Sequence, residues 1–276
     1  SISVWSDIRR SSEELALKHP AMFPTELVKR VAQCLTRESD RLILDPFCGS
    51  GHFLSESLRH VSTAIPSSDK ALHEFAFGKL HGIEKSDRMT RVAMTDMRLC
   101  GDGHSNIRCT DALLDFSSYA DISAESFDVV ITNPPFGSLL GPEALTTLGQ
   151  FDLARGKRSV PLEVLGLERS IQFLRPGGKL AIVLPDNILS GDSCAYVRQW
   201  LVTQVRVFAI VSLPIETFSP FGANVKTNIL FAKKRATGER QSESAKVVLA
   251  KIDSVGYEAS GRPLEDSEIP ATTSEL

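Results

Sequence analysis

Short apolar runs alternate along the chain with longer segments whose apolar residues recur every three or four positions. The short runs predict buried strands and the periodic segments predict helices, for example after Thr25 and from Asp87 to Leu99. Strands that alternate with helices favour right-handed crossovers and a mostly parallel sheet, whose strands end at one common edge. The predicted strands occupy residues 41–45, 79–84, 106–109, 127–132, 179–184, 206–213, 227–232 and 247–252.

Two of these strands, 206–213 and 227–232, are joined by a link that is too short for a helical crossover. They are therefore expected to pair antiparallel. Between strands 127–132 and 179–184 the sequence predicts a loop over 137–159 and then an amphipathic helix over 160–174. The loop contains a basic cluster, which is either a phosphate-contacting element or a solvated charge run.

Composition excludes few function classes. With 276 residues, 42% hydrophobic and 24% charged, the chain has the make-up of an ordinary globular protein, and its net charge of -3 leaves room for a local basic groove. The five cysteines lack the spacing of a metal site, so we expect reduced thiols, no metal and a cytoplasmic protein. No apolar run approaches the length of a membrane span, so we expect no membrane contact.

The first strong candidate for chemistry is a glycine-containing turn between a strand and a helix. Asp45 ends the strand, and Gly49 and Gly51 lie in the turn, where they allow a ligand to approach the backbone beside free helix N–H groups. The next two strands end at Glu84 and Asp111. Glu84 lies 33 positions beyond Gly51, farther than a dinucleotide fold requires. Each acid alone is more often a helix cap, but three in register favour a ligand site, with Glu84 on ribose hydroxyls and Asp111 on an adenine amino group.

The second candidate is the tetrad Asn133, Pro134, Pro135 and Phe136, which follows the strand over 127–132. The two prolines cannot continue a central strand, so the strand must stop before them. The Asn133 side-chain oxygen and the Pro134 carbonyl can both accept hydrogen bonds from an amino group, and Phe136 can stack on a flat ring. The alternative, a strand that simply ends in a Pro-Pro turn, is the less favoured interpretation of these four residues.

A later loop carries two aromatic residues, Phe218 and Phe221. They either form a second wall of a base pocket or cover the end of the core, and the residues alone favour neither interpretation.

In combination these motifs resemble the adenine-N6 DNA methyltransferases, especially the modification subunits of type I restriction-modification systems and their fused restriction-modification relatives. The resemblance extends from Pro20 to Lys234, although Phe23-Pro24-Thr25 departs from the more usual Tyr-Thr-Pro order. It implies a Rossmann-like class I S-adenosylmethionine-dependent methyltransferase fold of the α/β class, with a mostly parallel seven-stranded sheet and an antiparallel hairpin at one edge. The domains implied are an N-terminal helical segment over 1–40 that contributes to the cofactor site, a catalytic domain over 41–254 and a polar, acidic tail or linker over 255–276.

The resemblance also implies roles for individual residues. Asn133 to Phe136 would be catalytic, and Phe136, Phe218 and Phe221 would contact the substrate base. The residues implied to bind S-adenosylmethionine are Met22, Phe23, Thr25, Asp45, Phe47, Gly49, Gly51, Glu84, Lys85, Asp111, Ala112 and Asn133.

The function implied is methylation of the adenine N6 amino group in double-stranded DNA, with the adenine flipped between Phe136 and Phe218. Target choice would fall to a separate recognition domain or specificity subunit. Three alternatives remain at this point: a protein-glutamine or RNA amino methyltransferase, a DNA-binding subunit with a decayed site, and a nicotinamide oxidoreductase. The glycine pattern and the tetrad argue against the oxidoreductase.

Overall fold

The computed structural model describes most of the chain. The described residues are 2–4, 24–37, 39–63, 69–101, 106–140, 145–219, 224–236, 238–239, 246–255, 258–260 and 262. Three of the predicted site residues, Met22, Phe23 and Phe221, lie outside these ranges.

A nine-stranded mixed sheet forms the centre of the described part of the chain, with strand order β1-β11-β9-β10-β8-β5-β2-β3-β4. A separate two-stranded ribbon pairs β6 with β7. The strands are β1 (Ile2–Val4), β2 (Ile43–Asp45), β3 (Leu80–Glu84), β4 (Asn106–Cys109), β5 (Phe127–Thr132), β6 (Leu139–Leu140), β7 (Val160–Pro161), β8 (Leu174–Pro185), β9 (Val205–Ser212), β10 (Thr227–Lys234) and β11 (Val248–Lys251).

Helices cover both faces of the sheet, as the alternation of elements predicts. They are α1 (Thr25–Leu35), α2 (His52–Ser62), α3 (Asp69–Lys79), α4 (Asp87–Leu99), α5 (Leu145–Leu148), α6 (Leu162–Phe173), α7 (Asp186–Ser190) and α8 (Ala195–Gln204).

Side chains of β5 alternate between two apolar cores, because successive residues of a strand point to opposite faces. Val129 and Ile131 join the core beneath α1 to α4. Val130, between them, joins the core beneath α6 and α8. Phe127 joins that core too, because the strand has a register shift between Phe127 and Val129. Since β5 pairs in parallel with β2 on one side and β8 on the other, it lies centrally, and its end is the switch point where a doubly wound sheet binds ligands.

The predicted fold class is confirmed, but the sheet differs from the expected one in extent. Strand β10 pairs antiparallel with β9, as the short link predicts, and it also pairs antiparallel with β8 on its other side. The sheet does not end at this pair, because β11 adds in parallel to β9 and β1 adds in parallel to β11. Part of the segment over 1–40, expected to be helical, therefore forms a strand at the far edge.

The structure differs from the predictions in further local features. The segment between Gly51 and Glu84 contains two helices, α2 and α3, whereas the sequence indicated only the helix that directly follows the glycine turn. Helix α6 is buried on nearly every side rather than amphipathic, because the segment over 145–161 packs over the face that would otherwise be exposed. Val255, the first residue of the expected tail, is also buried.

Candidate functional site

One cavity of about 490 Å³ opens at the carboxyl ends of β2, β3, β4 and β5. The structure thus brings together residues that are far apart in the sequence. The predicted site residues that line it are Asp45, Phe47, Gly49, Glu84, Lys85, Asp111, Ala112, Asn133, Pro134, Pro135, Phe136 and Phe218.

The turn between β2 and α2 has the open backbone that the glycines predict. Gly49 has φ +53° and Gly51 has φ +85°, both in the left-handed region that favours glycine. A Cβ at Gly49 would meet nothing within 4 Å, so this backbone faces open space, whereas a Cβ at Gly51 would lie 3.1 Å from the Ala93 Cβ. Gly51 therefore lets α2 begin directly against α4, which places the start of α2 at the cavity.

Two acids that line the cavity, Glu84 and Asp111, already accept hydrogen bonds from the chain. Glu84 accepts from the Gly49 N–H at 3.0 Å and from the Ser86 N–H at 2.7 Å. Asp111 accepts from the Leu113 N–H at 2.9 Å and from the Lys85 Nζ at 2.8 Å. Each carboxylate oxygen can accept a second bond, so both acids are fixed in orientation and can still bind hydroxyl or amino groups.

Asp45 lies deeper than the other two acids and is only 1% exposed. Its Oδ1 accepts from the Phe47 N–H at 3.1 Å and from the Thr132 hydroxyl at 2.6 Å. Burial raises the pKa of this carboxyl from 3.8 to about 7, although both hydrogen bonds act in the opposite direction. Asp45 thus connects the glycine turn to the strand that leads to the tetrad.

Cys48 lies in the same turn and is buried. Burial raises the pKa of its thiol well above the usual value. Since the thiolate is the nucleophilic form, this thiol is suited to packing rather than to covalent chemistry.

The tetrad begins where β5 ends, at Thr132, as the two prolines predict. The Asn133 Oδ1 atom is buried and accepts no hydrogen bond from the described residues. A buried amide oxygen without a donor costs about 1–3 kcal/mol. Because Asn133 also lines the cavity, a ligand that brings an N–H group to this oxygen would recover that energy.

Phe136 and Phe218 are brought together, but not as two parallel walls. Their ring centroids lie 6.0 Å apart and the rings are nearly perpendicular, at 87°. Phe218 is 1% exposed and packs in the core. The edge-to-face contact leaves no gap for a base between these two rings, so the predicted sandwich is not formed in this arrangement.

Thr25 begins α1 and lies beside the start of α2. Its hydroxyl is 3.0 Å from the Nε2 of His52, so the two side chains share a hydrogen bond. His52 itself lines the cavity, while Thr25 does not.

Several residues that line the cavity were not predicted from the sequence. Ser50, His52 and Phe53 follow Gly49 directly, and their position at a helix start was a usable signal. Leu140 and Leu162 also line the cavity. Leu140 belongs to β6 and Leu162 begins α6 directly after β7, and nothing in their local sequence indicated a position at the cavity.

Within the described ranges, no group of three or more His, Cys, Asp or Glu side chains is placed to hold a metal ion. All five cysteines are free.

The described helices include none that is both long and apolar enough to cross a membrane.

The cavity suits a nucleoside that carries a charged amino-acid group. Its lining includes two oriented carboxylates, the open Gly49 backbone, the start of α2 and the unsatisfied Asn133 oxygen. This set of donors and acceptors fits S-adenosylmethionine, with the acids at its nucleoside and the helix start at its carboxylate.

Comparison with known proteins agrees with this geometry. The model of the family described as N-6 DNA Methylase matches residues 20–272. The chain is 32% identical over 194 residues to the methylase subunit of the type I restriction enzyme EcoEI from Escherichia coli, an overlap of 70% of this chain and 38% of that protein. It is 26% identical over 219 residues to the EcoKI methylase subunit of Escherichia coli K12, with 76% and 39% covered. The chain thus spans less than two fifths of these relatives.

Solved structures share the fold. A Listeria monocytogenes protein assigned to the class I S-adenosylmethionine-dependent methyltransferases superimposes with a TM-score of 0.67 at 20% identity, covering 87% of this chain and 68% of that one. The EcoKI M protein superimposes with a TM-score of 0.64 at 22% identity, covering 84% and 48%.

Proposed function

The chain belongs to the N-6 DNA methylase family, and we propose that it catalyses S-adenosylmethionine-dependent methylation of the adenine N6 amino group in DNA, as the catalytic part of a restriction-modification or related defence system. The observation that carries this proposal is the buried Asn133 Oδ1, which has no donor among the described residues and opens on the same cavity as Glu84 and Asp111. In our proposal this oxygen accepts a hydrogen bond from the amino group of the substrate, next to the site that binds the methyl donor.

In this proposal the tetrad holds the acceptor. Asn133 Oδ1 and the Pro134 carbonyl accept the two N6 hydrogens, which localises the nitrogen lone pair and directs it away from the ring. Phe136 stacks on the base. When bound, S-adenosylmethionine would supply a methyl group activated by its sulfonium sulfur. The N6 nitrogen held by Asn133 and Pro134 would take that methyl group, with the electrons of the broken C–S bond left on sulfur and one N6 proton passing to solvent water.

The other half of the cavity positions the donor. Glu84 would accept from the ribose hydroxyls and Asp111 from the adenine amino group of the cofactor, and the open Gly49 backbone and the α2 N-terminus would hold its amino-acid end. Asp45 would act indirectly, because its carboxylate accepts a hydrogen bond from the Phe47 N–H and so fixes Phe47 in the turn.

An adenine paired in a duplex cannot reach this cavity, so we propose that it is flipped out of the helix. Because the chain spans less than two fifths of the type I methylase subunits it resembles, we further propose that a separate recognition domain or specificity subunit selects the DNA sequence. We place this activity in the cytoplasm.

The decisive experiment compares wild type with Asn133→Ala, each supplied with its native recognition partner. Labelled S-adenosylmethionine is offered with duplex DNA, RNA or protein extract, and the modified residue is identified by mass spectrometry. We expect N6-methyladenine in DNA from wild type and a loss of at least about 10³-fold in the variant, since orientation of the acceptor is removed. Calorimetric affinity for the cofactor should change by less than about threefold, because the acids are untouched.

Asn187→Ala is the matched control, because Asn187 is an exposed amide just beyond the neighbouring strand β8. It should retain wild-type transfer. Methylated RNA or glutamine in place of DNA adenine would replace the proposed substrate, and full transfer by Asn133→Ala would overturn the role of the tetrad.

A further inference from the structure

The tetrad has little means of holding itself in place. Pro134 and Pro135 have no amide hydrogen to donate, so the sheet ladder cannot continue through them. The positions of the Asn133 oxygen and the Pro134 carbonyl must therefore be set by whatever packs against the tetrad and by the segment that follows it.

The first turn of α6 holds that following segment. The Leu162 N–H donates to the Ser138 carbonyl at 2.9 Å, and the Gly137 N–H donates to the Glu163 Oε2 at 3.3 Å. Glu163 is only 6% exposed. Helix start and post-tetrad segment thus satisfy each other's backbone groups, which would otherwise be left without partners at these positions.

One turn farther along, α6 touches the tetrad itself at Gly166. A Cβ at Gly166 would lie 2.8 Å from the Pro134 Cβ and 3.3 Å from the Phe47 Cε2. Real Cβ contacts are not this short, so only glycine permits the observed approach. The Pro134 ring is tied to its own backbone and cannot rotate away as the end of a long side chain can.

The third contact of α6 reaches the cofactor half of the cavity. Arg169 is fully buried, and its guanidinium donates to the Leu113 carbonyl at 3.3 Å and to the Gln150 Oε1 at 3.1 Å. The rings of Phe116 and Phe151 lie 4.5 and 4.8 Å from its central carbon. This cation, held between aromatic faces, fixes the loop that begins at the cofactor acid.

Glu163, Gly166 and Arg169 are spaced three residues apart and so share one side of the helix. From these contacts we infer that α6 sets the distance between the methyl acceptor and the cofactor, with Gly166 and Glu163 as positioning residues for the tetrad. Glu163 acts through Gly137, and Gly166 acts through Pro134. The catalytic consequence rests on the proposed function, whereas the displacement of Pro134 does not.

Gly166→Ala tests the inference most directly. We expect kcat to fall by about tenfold or more, because a small misplacement of a reacting group costs up to about 10²-fold. Cofactor affinity should change by less than about threefold, since only the movable edge of the Phe47 ring meets the new methyl on that side. A crystal structure of the variant should show Pro134 displaced, and its melting temperature should fall.

Gly78→Ala is the matched control. Gly78 lies in helix α3, where a Cβ would meet nothing within 4 Å. Alanine is favoured over glycine in a helix, so this variant should keep wild-type kcat and melt slightly higher. If Gly166→Ala behaves like Gly78→Ala, with Pro134 unmoved, the inference is wrong.

A second pair of variants probes Glu163. Gln keeps an acceptor for the Gly137 N–H, whereas Leu removes it, so we expect kcat within about twofold for Glu163→Gln and a fall of about fivefold or more for Glu163→Leu. Equal kcat values in the two variants would show that Glu163 is not a positioning residue for the tetrad. If wild type methylates no DNA, the proposed function fails, but displacement of Pro134 in Gly166→Ala would still support the contact on which the inference stands.

Discussion

The two halves of the cavity are built in opposite ways. In the cofactor half, Glu84 and Asp111 each accept two hydrogen bonds from neighbouring residues before any ligand arrives. In the acceptor half, the Asn133 oxygen is buried with no donor among the described residues. The carboxylates of the cofactor half thus have hydrogen-bond partners and a fixed orientation, whereas the amide oxygen of the acceptor half has no donor among the described residues.

This difference matches what each half has to do. A cofactor bound on every cycle benefits from acids whose orientation is already fixed. A catalytic acceptor site is more effective when its strongest interaction is made only with the reacting group. The orphaned Asn133 oxygen is therefore a local cost to stability that we interpret as part of the mechanism.

The largest effect on the cofactor half is expected from Glu84→Ala. The variant loses the acceptor for the Gly49 and Ser86 N–H groups, and hydrogen bonds to charged groups contribute about 1.5–3 kcal/mol each. We expect calorimetric affinity for S-adenosylmethionine to fall by about 10²-fold, with kcat at saturating cofactor nearly retained. Glu74→Ala, which removes a largely exposed carboxylate from α3, is the control and should bind as wild type. Unchanged affinity in Glu84→Ala would contradict the assignment of this half.

An intermediate effect is expected at Asp45, which connects the two halves. Its folded pKa of about 7 exceeds the ordinary 3.8, so its contribution to stability is complete below pH 4 and is lost as the pH rises through 7. Between those values the contribution falls by about 1.4 kcal/mol per pH unit.

Asp45→Asn keeps an oxygen for Phe47 and Thr132 but cannot ionise. Chemical denaturation of both proteins at several pH values should therefore show the variant gaining stability relative to wild type as the pH rises from 4 to 7. A difference that does not depend on pH would show that the Asp45 carboxyl keeps an ordinary pKa.

The smallest effect is expected from Lys85→Met. Lys85 is 78% exposed where it pairs with Asp111, and exposed ion pairs contribute about 0–1 kcal/mol. Removing it frees one Asp111 oxygen for the cofactor, so affinity should rise by less than about threefold, and the gain should shrink at high salt. A large loss of affinity would instead indicate that Lys85 contacts the cofactor directly.

Much of the fold was predictable because its signals are local. The apolar runs located eight of the nine strands of the central sheet, all except β1, and the short link before Thr227 predicted the antiparallel pairing of β10 with β9. The family resemblance is confirmed by the match over residues 20–272. Addition of β1 and β11 to the sheet was not predictable, because strand pairing between distant segments leaves little trace in either segment alone.

The candidate site, like the fold, was predictable from the sequence only in part. The residue types at the strand ends identified the three acids and the tetrad, and the structure gathers them around one cavity. The geometry within that cavity was not predictable. The edge-to-face contact of Phe136 with Phe218 replaces the expected sandwich, and Thr25 bonds to His52 rather than lining the cavity.

The sequence by itself determined where strands end and which chemical groups stand at those ends, because prolines, glycines and apolar runs act through the local backbone. Only the tertiary structure decided which of those groups already have partners and which do not. It also decided that α6 is buried and presses Gly166 against Pro134. Such close packing depends on the simultaneous arrangement of elements far apart in the chain, and no single segment encodes it.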